Sequence, residues 1–180
     1  MRALEILVRA IEAFNEKVGV GASFLTAALV VVVCADVFTR YALNFSVVAV
    51  QELEWHLFSA IFLLGAAWTL KEDKHVRVDV IYQGRSPRTK AWIDLIGAAV
   101  FLVPFCALVV WASWSFVEGS WSIGEGSENP GGLPARWLLK ACIPAAFVML
   151  GLQGVAMAAR SVLLLRGRPL GKAGADEVSP

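Results

Sequence analysis

Residues 18–35 read VGVGASFLTAALVVVVCA, and they decide the fold class because no charged side chain interrupts them. Three further uncharged stretches follow along the chain, at residues 55–70, 95–117 and 141–159. A membrane-spanning helix needs roughly 17 to 25 predominantly apolar residues. The 55–70 stretch reaches that length if its helix begins near Glu52 and Glu54, at headgroup level, where a carboxylate costs less than at the bilayer centre. The sequence therefore predicts an all-α integral membrane protein with four transmembrane helices.

This reading divides the chain into one membrane domain and two terminal segments. The domain covers residues 18–165, and residues 166–180, which contain several Gly and Pro, are predicted to form a mobile cytoplasmic tail. The predicted spans are residues 18–40, 51–70, 91–117 and 134–165, joined by a cytoplasmic loop at 71–90 and a periplasmic loop at 118–133. Pro134 is expected in the first turn of the fourth helix.

The composition excludes several other classes of protein. Of the 180 residues, 58% are hydrophobic and 17% are charged, which is too apolar for an ordinary soluble domain. The formal net charge of +1 argues against a nucleic-acid binder. The three Cys residues form no zinc or disulfide pattern, and we expect all three to be small buried hydrophobes: Cys34, Cys106 and Cys142.

The distribution of Lys and Arg predicts the orientation. Thirteen of the 16 basic residues fall in the amino-terminal segment, the 71–90 loop and the tail. Positive residues near helix ends stay in the cytoplasm, so both termini are predicted to be cytoplasmic. Residues 1–17 carry apolar side chains at helical spacing, and they are predicted to form an amphipathic interfacial helix before the first span.

The centres of the spans lack the chemistry of a transport site. Phe62, Cys106 and Leu150 lie near the predicted midplane, and no carboxylate, Lys or Arg is close to them in sequence. We interpret Gln153 as the donor or acceptor of an interhelical hydrogen bond. Small residues are expected to form packing faces on the first and fourth helices: Gly19, Ser23, Ala27, Gly154 and Ala158.

Charged residues outside the span centres leave several interpretations open. Glu52 and His56 are four residues apart and could pair. No further metal ligand is evident at the same level, so we interpret them as a polar helix entrance that contacts headgroups or another chain. In the inner loop, His75 and Asp79 pair if the loop is helical, whereas His75, Arg77 and Asp79 share one edge if it is extended. Glu125 and Glu128 lie on a Gly-rich outer loop that is either a docking surface or a solvated connection.

Four stretches together resemble the DctQ-like small membrane subunit of tripartite ATP-independent periplasmic (TRAP) transporters. They are DVFTRY at 36–41, LGAA at 64–67, HVRVD at 75–79 and EGSENPGGLP at 125–134, within a likeness that spans about residues 36–155. The resemblance implies a subunit that associates with a large multi-span membrane subunit, which carries the substrate and ion sites, and with a periplasmic substrate-binding protein. It implies no enzyme activity and no cofactor.

We therefore predict a scaffold subunit that supports ion-coupled uptake of a solute. Two alternatives remain at this point, a small stand-alone exporter and a membrane anchor subunit of a redox enzyme. The first lacks an ionisable residue inside a span, and the second lacks two facing intramembrane histidines. The expected partner-interface or structural residues are Arg40, Glu52, His75, Arg77, Asp79, Glu125, Glu128 and Arg136.

Overall fold

The computed structural model describes residues 2–72 and 84–167. These residues form four long helices and no strand, and each helix is long and apolar enough to cross a membrane. The helices are α1 (Arg2–Ala42), α2 (Val48–Lys71), α3 (Pro87–Ser122) and α4 (Trp137–Leu165). The predicted all-α chain with four potential spans is confirmed. His75, Arg77 and Asp79, and the tail beyond Gly167, lie outside the described residues.

Helix α1 joins the predicted amino-terminal helix and the first span into one element, so the two are not separate helices, whereas the interfacial position of residues 1–17 stays a prediction. Helix α1 runs for 41 residues without a break, which is about 60 Å at 1.5 Å per residue and twice the thickness of a bilayer's hydrocarbon core. No Pro or Gly interrupts the chain before Gly19, so nothing in the sequence ends the helix there. One apolar face of its first half packs against α4 in a buried cluster formed by Leu4, Val8, Ile11, Ala156 and Ala159.

Helix α4 organises the bundle because it packs against each of the other three helices, while α1 also packs against α2. A π-helical stretch, Gly97–Leu102, interrupts α3 just before Pro104. Proline lacks the N–H of an α-helical hydrogen bond, and wider turns of this kind accommodate that loss. Helix α4 begins at Trp137 rather than at Pro134, because Ala135 adopts a positive φ of 59° and interrupts the helical path.

Close packing at small residues is confirmed at two of the predicted positions. A Cβ on Gly154 would meet Leu102 at 2.9 Å, and a Cβ on Gly19 would collide with Trp68 of α2. Two other residues of the predicted α1 stripe, Ser23 and Ala27, are exposed, so the stripe does not continue as a contact within this chain. Of the cysteines, Cys106 is buried as expected, whereas Cys142 is half-buried and Cys34 is exposed, because Cys34 lies on a face of α1 that no other helix covers.

The contact between Gly19 and Trp68 yields a test with a matched control. We expect Gly19→Ala to destabilise the folded chain by about 1 to 3 kcal/mol, because the added methyl group overpacks the α1–α2 contact. Gly21 has open space around it, so Gly21→Ala has no such cost and gains helix propensity. Thermal unfolding of the two variants in mild detergent compares them, and equal unfolding temperatures would contradict this account.

Candidate functional site

One carboxylate at the start of α2 collects hydrogen bonds from the loop between α3 and α4. Glu52 is only 4% exposed. The backbone N–H of Leu133 donates to its Oε2 at 2.7 Å, and Asn129 Nδ2 donates to its Oε1 at 3.2 Å. The hydroxyl of Ser127 donates to the same Oε1, and an Arg136 guanidinium nitrogen lies 3.6 Å away. We call this group of five residues the Glu52 rim.

The Gly-Gly pair of the loop is required by the geometry of the rim. Gly131 has a φ of +78°, a backbone conformation that residues other than glycine rarely adopt. Gly132 has no room for a side chain, because a Cβ there would collide with the side chain of Ser127 and would lie 2.7 Å from Glu52 Oε2. The Ser127 N–H also donates to the Leu133 carbonyl at 2.9 Å, which closes the loop on itself. The loop is therefore shaped to wrap around one carboxylate.

A second ion pair fixes the base of this loop. Lys140 of α4 pairs with Glu125, and its ammonium lies 4.0 Å from the centre of the Phe116 ring of α3. The hydrogen bond from Lys140 holds the pKa of Glu125 below its usual value of 4.5. Glu125 therefore stays ionised at neutral pH, and its contribution to stability is lost only as the pH falls from about 4.5 through its lowered pKa.

Buried polar contacts also join the helices at the opposite end of the bundle, which we call the Arg160 end. Arg160 of α4 binds Glu12 of α1 through two bonds, at 2.5 and 2.7 Å, and Glu12 is only 3% exposed. One turn further along α1, Asn15 Nδ2 donates to Gln153 Oε1 at 2.8 Å. The interhelical hydrogen bond predicted for Gln153 is confirmed.

The sequence profile of the family described as tripartite ATP-independent periplasmic transporters, DctQ component, matches residues 29–164. This match covers well over half of the chain. The chain belongs to the DctQ family. It is thus a component of a TRAP transporter and not an enzyme, as its resemblance implied. No curated protein matches the chain.

The match to the DctQ family covers the two ends of the bundle unequally. All residues of the Glu52 rim lie within it, as do Gln153 and Arg160. Glu12 and Asn15 precede residue 29, so the α1 half of the Arg160 end lies outside the match. Glu12 and Asn15 were not predicted to be structural residues. Their position on the same helix face as Val8 and Ile11 was the available signal.

The structure of this DctQ family member separates the predicted site residues into groups. Glu52 and Arg136 meet in the rim, as described. Arg40 lies apart from them and pairs with the buried Asp36 one turn earlier in α1. Glu125 is engaged by Lys140 and is therefore part of an ion pair within the chain, whereas Glu128 is open to solvent.

The side chains of Glu52 and His56, which could pair by their spacing, do not do so. His56 Nδ1 lies 2.6 Å from the backbone oxygen of Glu52, while the carboxylate turns towards the α3–α4 loop. The helix entrance also does not offer Glu52 to headgroups or another chain, because the rim already surrounds it. Three hydrogen bonds and a nearby guanidinium outweigh a single imidazole as partners for a buried carboxylate.

Proposed function

We propose that this chain is the small scaffold subunit of a TRAP transporter that takes up a solute by ion-coupled secondary transport. The substrate and ion sites would lie in a separate large membrane subunit, and a periplasmic binding protein would deliver the solute. One observation carries the proposal: each buried charged side chain of the described residues is bonded to another part of this chain. Glu12 binds Arg160, Asp36 binds Arg40, and Glu52 binds its loop.

These bonds support a structural role because they leave the described span centres without a charged group for a solute. A transported ion or carboxylate loses its hydration shell inside the membrane and needs charged or strongly hydrogen-bonding groups in return. Here Glu12 and Arg160 join α1 to α4 at one end of the bundle, and Glu52 joins α2 to the α3–α4 loop at the other. Asp36 pairs with Arg40 within α1. Such a bundle can hold the stationary part of a transporter while a partner subunit carries out the movement.

The experiment that tests this role is reconstitution into proteoliposomes. We expect the purified chain alone to transport nothing, whereas uptake is expected once a large membrane subunit and the binding protein encoded beside it are added. Liposomes that contain the large subunit and binding protein without this chain provide the matched control. Ion-driven uptake by this chain alone, or full uptake without it, would contradict the scaffold role.

For topology, we propose that the Glu52 rim faces the periplasm of a bacterium and that both termini face the cytoplasm. The support is the excess of Lys and Arg in the terminal segments and the 71–90 loop. An impermeant thiol reagent applied to intact cells should label Glu128→Cys, an exposed position in the rim loop, and should leave Arg85→Cys unlabelled. The unsubstituted chain is the control for labelling of the native cysteines. Labelling of Arg85→Cys but not of Glu128→Cys would invert the proposed topology.

A further inference from the structure

The first half of α1 has a second apolar face that no described helix covers. While Val8 and Ile11 are buried against α4, Ile6 is 67% exposed, Leu7 45% and Phe14 50%. Three alanines continue this exposed strip along the helix. We call the strip the Ile6 face, and it consists of Ala3, Ile6, Leu7, Ala10, Ala13 and Phe14.

Exposed positive charges accompany the Ile6 face. Arg2, Arg9 and Lys17 are all exposed. The neighbouring acids are largely occupied elsewhere, because Glu12 is buried against Arg160, and Glu16 accepts a hydrogen bond from Lys71 at 2.7 Å. Glu5 is half-buried and is the remaining acid of the segment. The solvent side of residues 2–17 is therefore an apolar strip with a net positive charge.

This segment lies beyond the end of a predicted span, and a tilt of α1, which is about twice as long as the hydrocarbon core is thick, would bring it to the headgroup region. The bond between Lys71 and Glu16 aligns residue 16 of α1 with the last residue of α2. The chain before Glu16 therefore continues past the end of a predicted span, and it does so as part of the same helix. A helix in this position with one apolar strip and basic residues beside it has the composition of segments that lie in the headgroup region.

We propose that the Ile6 face inserts into the leaflet at the Arg160 end and that Arg2, Arg9 and Lys17 bind the phosphates of anionic phospholipids. The charge of the strip favours this occupant, since each Lys or Arg near an anionic membrane surface strengthens binding about fivefold. This inference requires only that the helices span a membrane, and it is independent of the transport role.

The test is a lipid titration of the full chain, purified in mild detergent and followed by native mass spectrometry. The probes are phosphatidylglycerol and phosphatidylcholine with the same acyl chains. We expect the first bound phosphatidylglycerol to bind more tightly than phosphatidylcholine. The triple variant R2Q/R9Q/K17Q is expected to weaken phosphatidylglycerol binding ten- to a hundredfold and to leave phosphatidylcholine binding unchanged.

Three further variants make the result specific. R2K/R9K/K17R keeps the charges and should keep the preference, and R9Q alone should weaken phosphatidylglycerol binding about fivefold with the least disturbance of the fold. R85Q/R88Q removes two exposed charges near the start of α3 and should leave the preference intact. Unchanged phosphatidylglycerol binding in R2Q/R9Q/K17Q, or an equal loss in R85Q/R88Q, would overturn the proposal.

Discussion

Replacing Glu52 by alanine is expected to release the loop between α3 and α4 and to destabilise the chain by about 3 to 5 kcal/mol, a loss typical of removing one partner of a buried ion pair. The Leu133 N–H, the Asn129 amide and the Ser127 hydroxyl would all lose their acceptor. The half-buried Arg136 would lose its countercharge. For a chain of this size, the cost corresponds to an unfolding temperature lower by about 10 °C.

Hydrogen exchange measures the release of the loop, and thermal unfolding in mild detergent measures the loss of stability. Exchange at residues 125–134 should rise in Glu52→Ala, because the Leu133 amide loses its partner. Glu52→Gln keeps one acceptor oxygen, so its exchange and its unfolding temperature should lie between those of Glu52→Ala and the unsubstituted chain. Glu54→Ala is the matched control, since Oε1 of Glu54 is buried without a hydrogen-bond partner among the described residues. Equal effects of Glu52→Ala and Glu54→Ala would remove the organising role of Glu52.

The same variant separates the structure of the rim from the proposed transport role. If the rim presents exposed residues such as Glu128 to the binding protein, Glu52→Ala should also raise the concentration of binding protein needed for half-maximal uptake in the three-component proteoliposomes. Loop release without any change in uptake would leave the structural account intact and would contradict the docking role alone.

The helices of this protein are predictable from sequence because their signal is local. Uncharged runs such as residues 18–35 can satisfy their backbone in a membrane only as helices. The start of α4 was less predictable. Pro134 suits the first turn of a helix, and nothing in the sequence indicates that Ala135 adopts a positive φ. The apolar periodicity of residues 1–17 was also compatible both with a separate helix and with the continuous α1. In the structure, the continuous helix packs its first half against α4.

The Glu52 rim was only partly predictable because its contacts are distant in sequence. Glu52 and Leu133 are 81 residues apart, and no local spacing rule connects them. Four-residue spacing offered His56 as a nearby partner and gave no sign of the distant loop. Family resemblance selected the Gly-Gly-Leu-Pro turn as notable, but it did not indicate that this turn binds Glu52.

The second large effect is expected at the Arg160 end. Arg160→Met would leave the Glu12 carboxylate, which is 3% exposed, buried between α1 and α4 without its two hydrogen bonds. Removal of one partner from a buried ion pair costs about 3 to 5 kcal/mol, so the unfolding temperature should again fall by about 10 °C. Since α4 packs against all three other helices, loss of this contact loosens α1 from the helix that organises the bundle.

A double substitution identifies the cause of that loss. In Glu12→Leu/Arg160→Met both charges are gone and two apolar side chains of similar size remain, so most of the stability should return, because well-packed apolar replacements of buried pairs are often neutral or stabilising. The adjacent bond between Asn15 and Gln153 stays in place and preserves the register of α1 on α4. If the double variant unfolds at the same temperature as Arg160→Met, the single variant acts through lost packing of the long Arg side chain, and an unpaired Glu12 is not the cause.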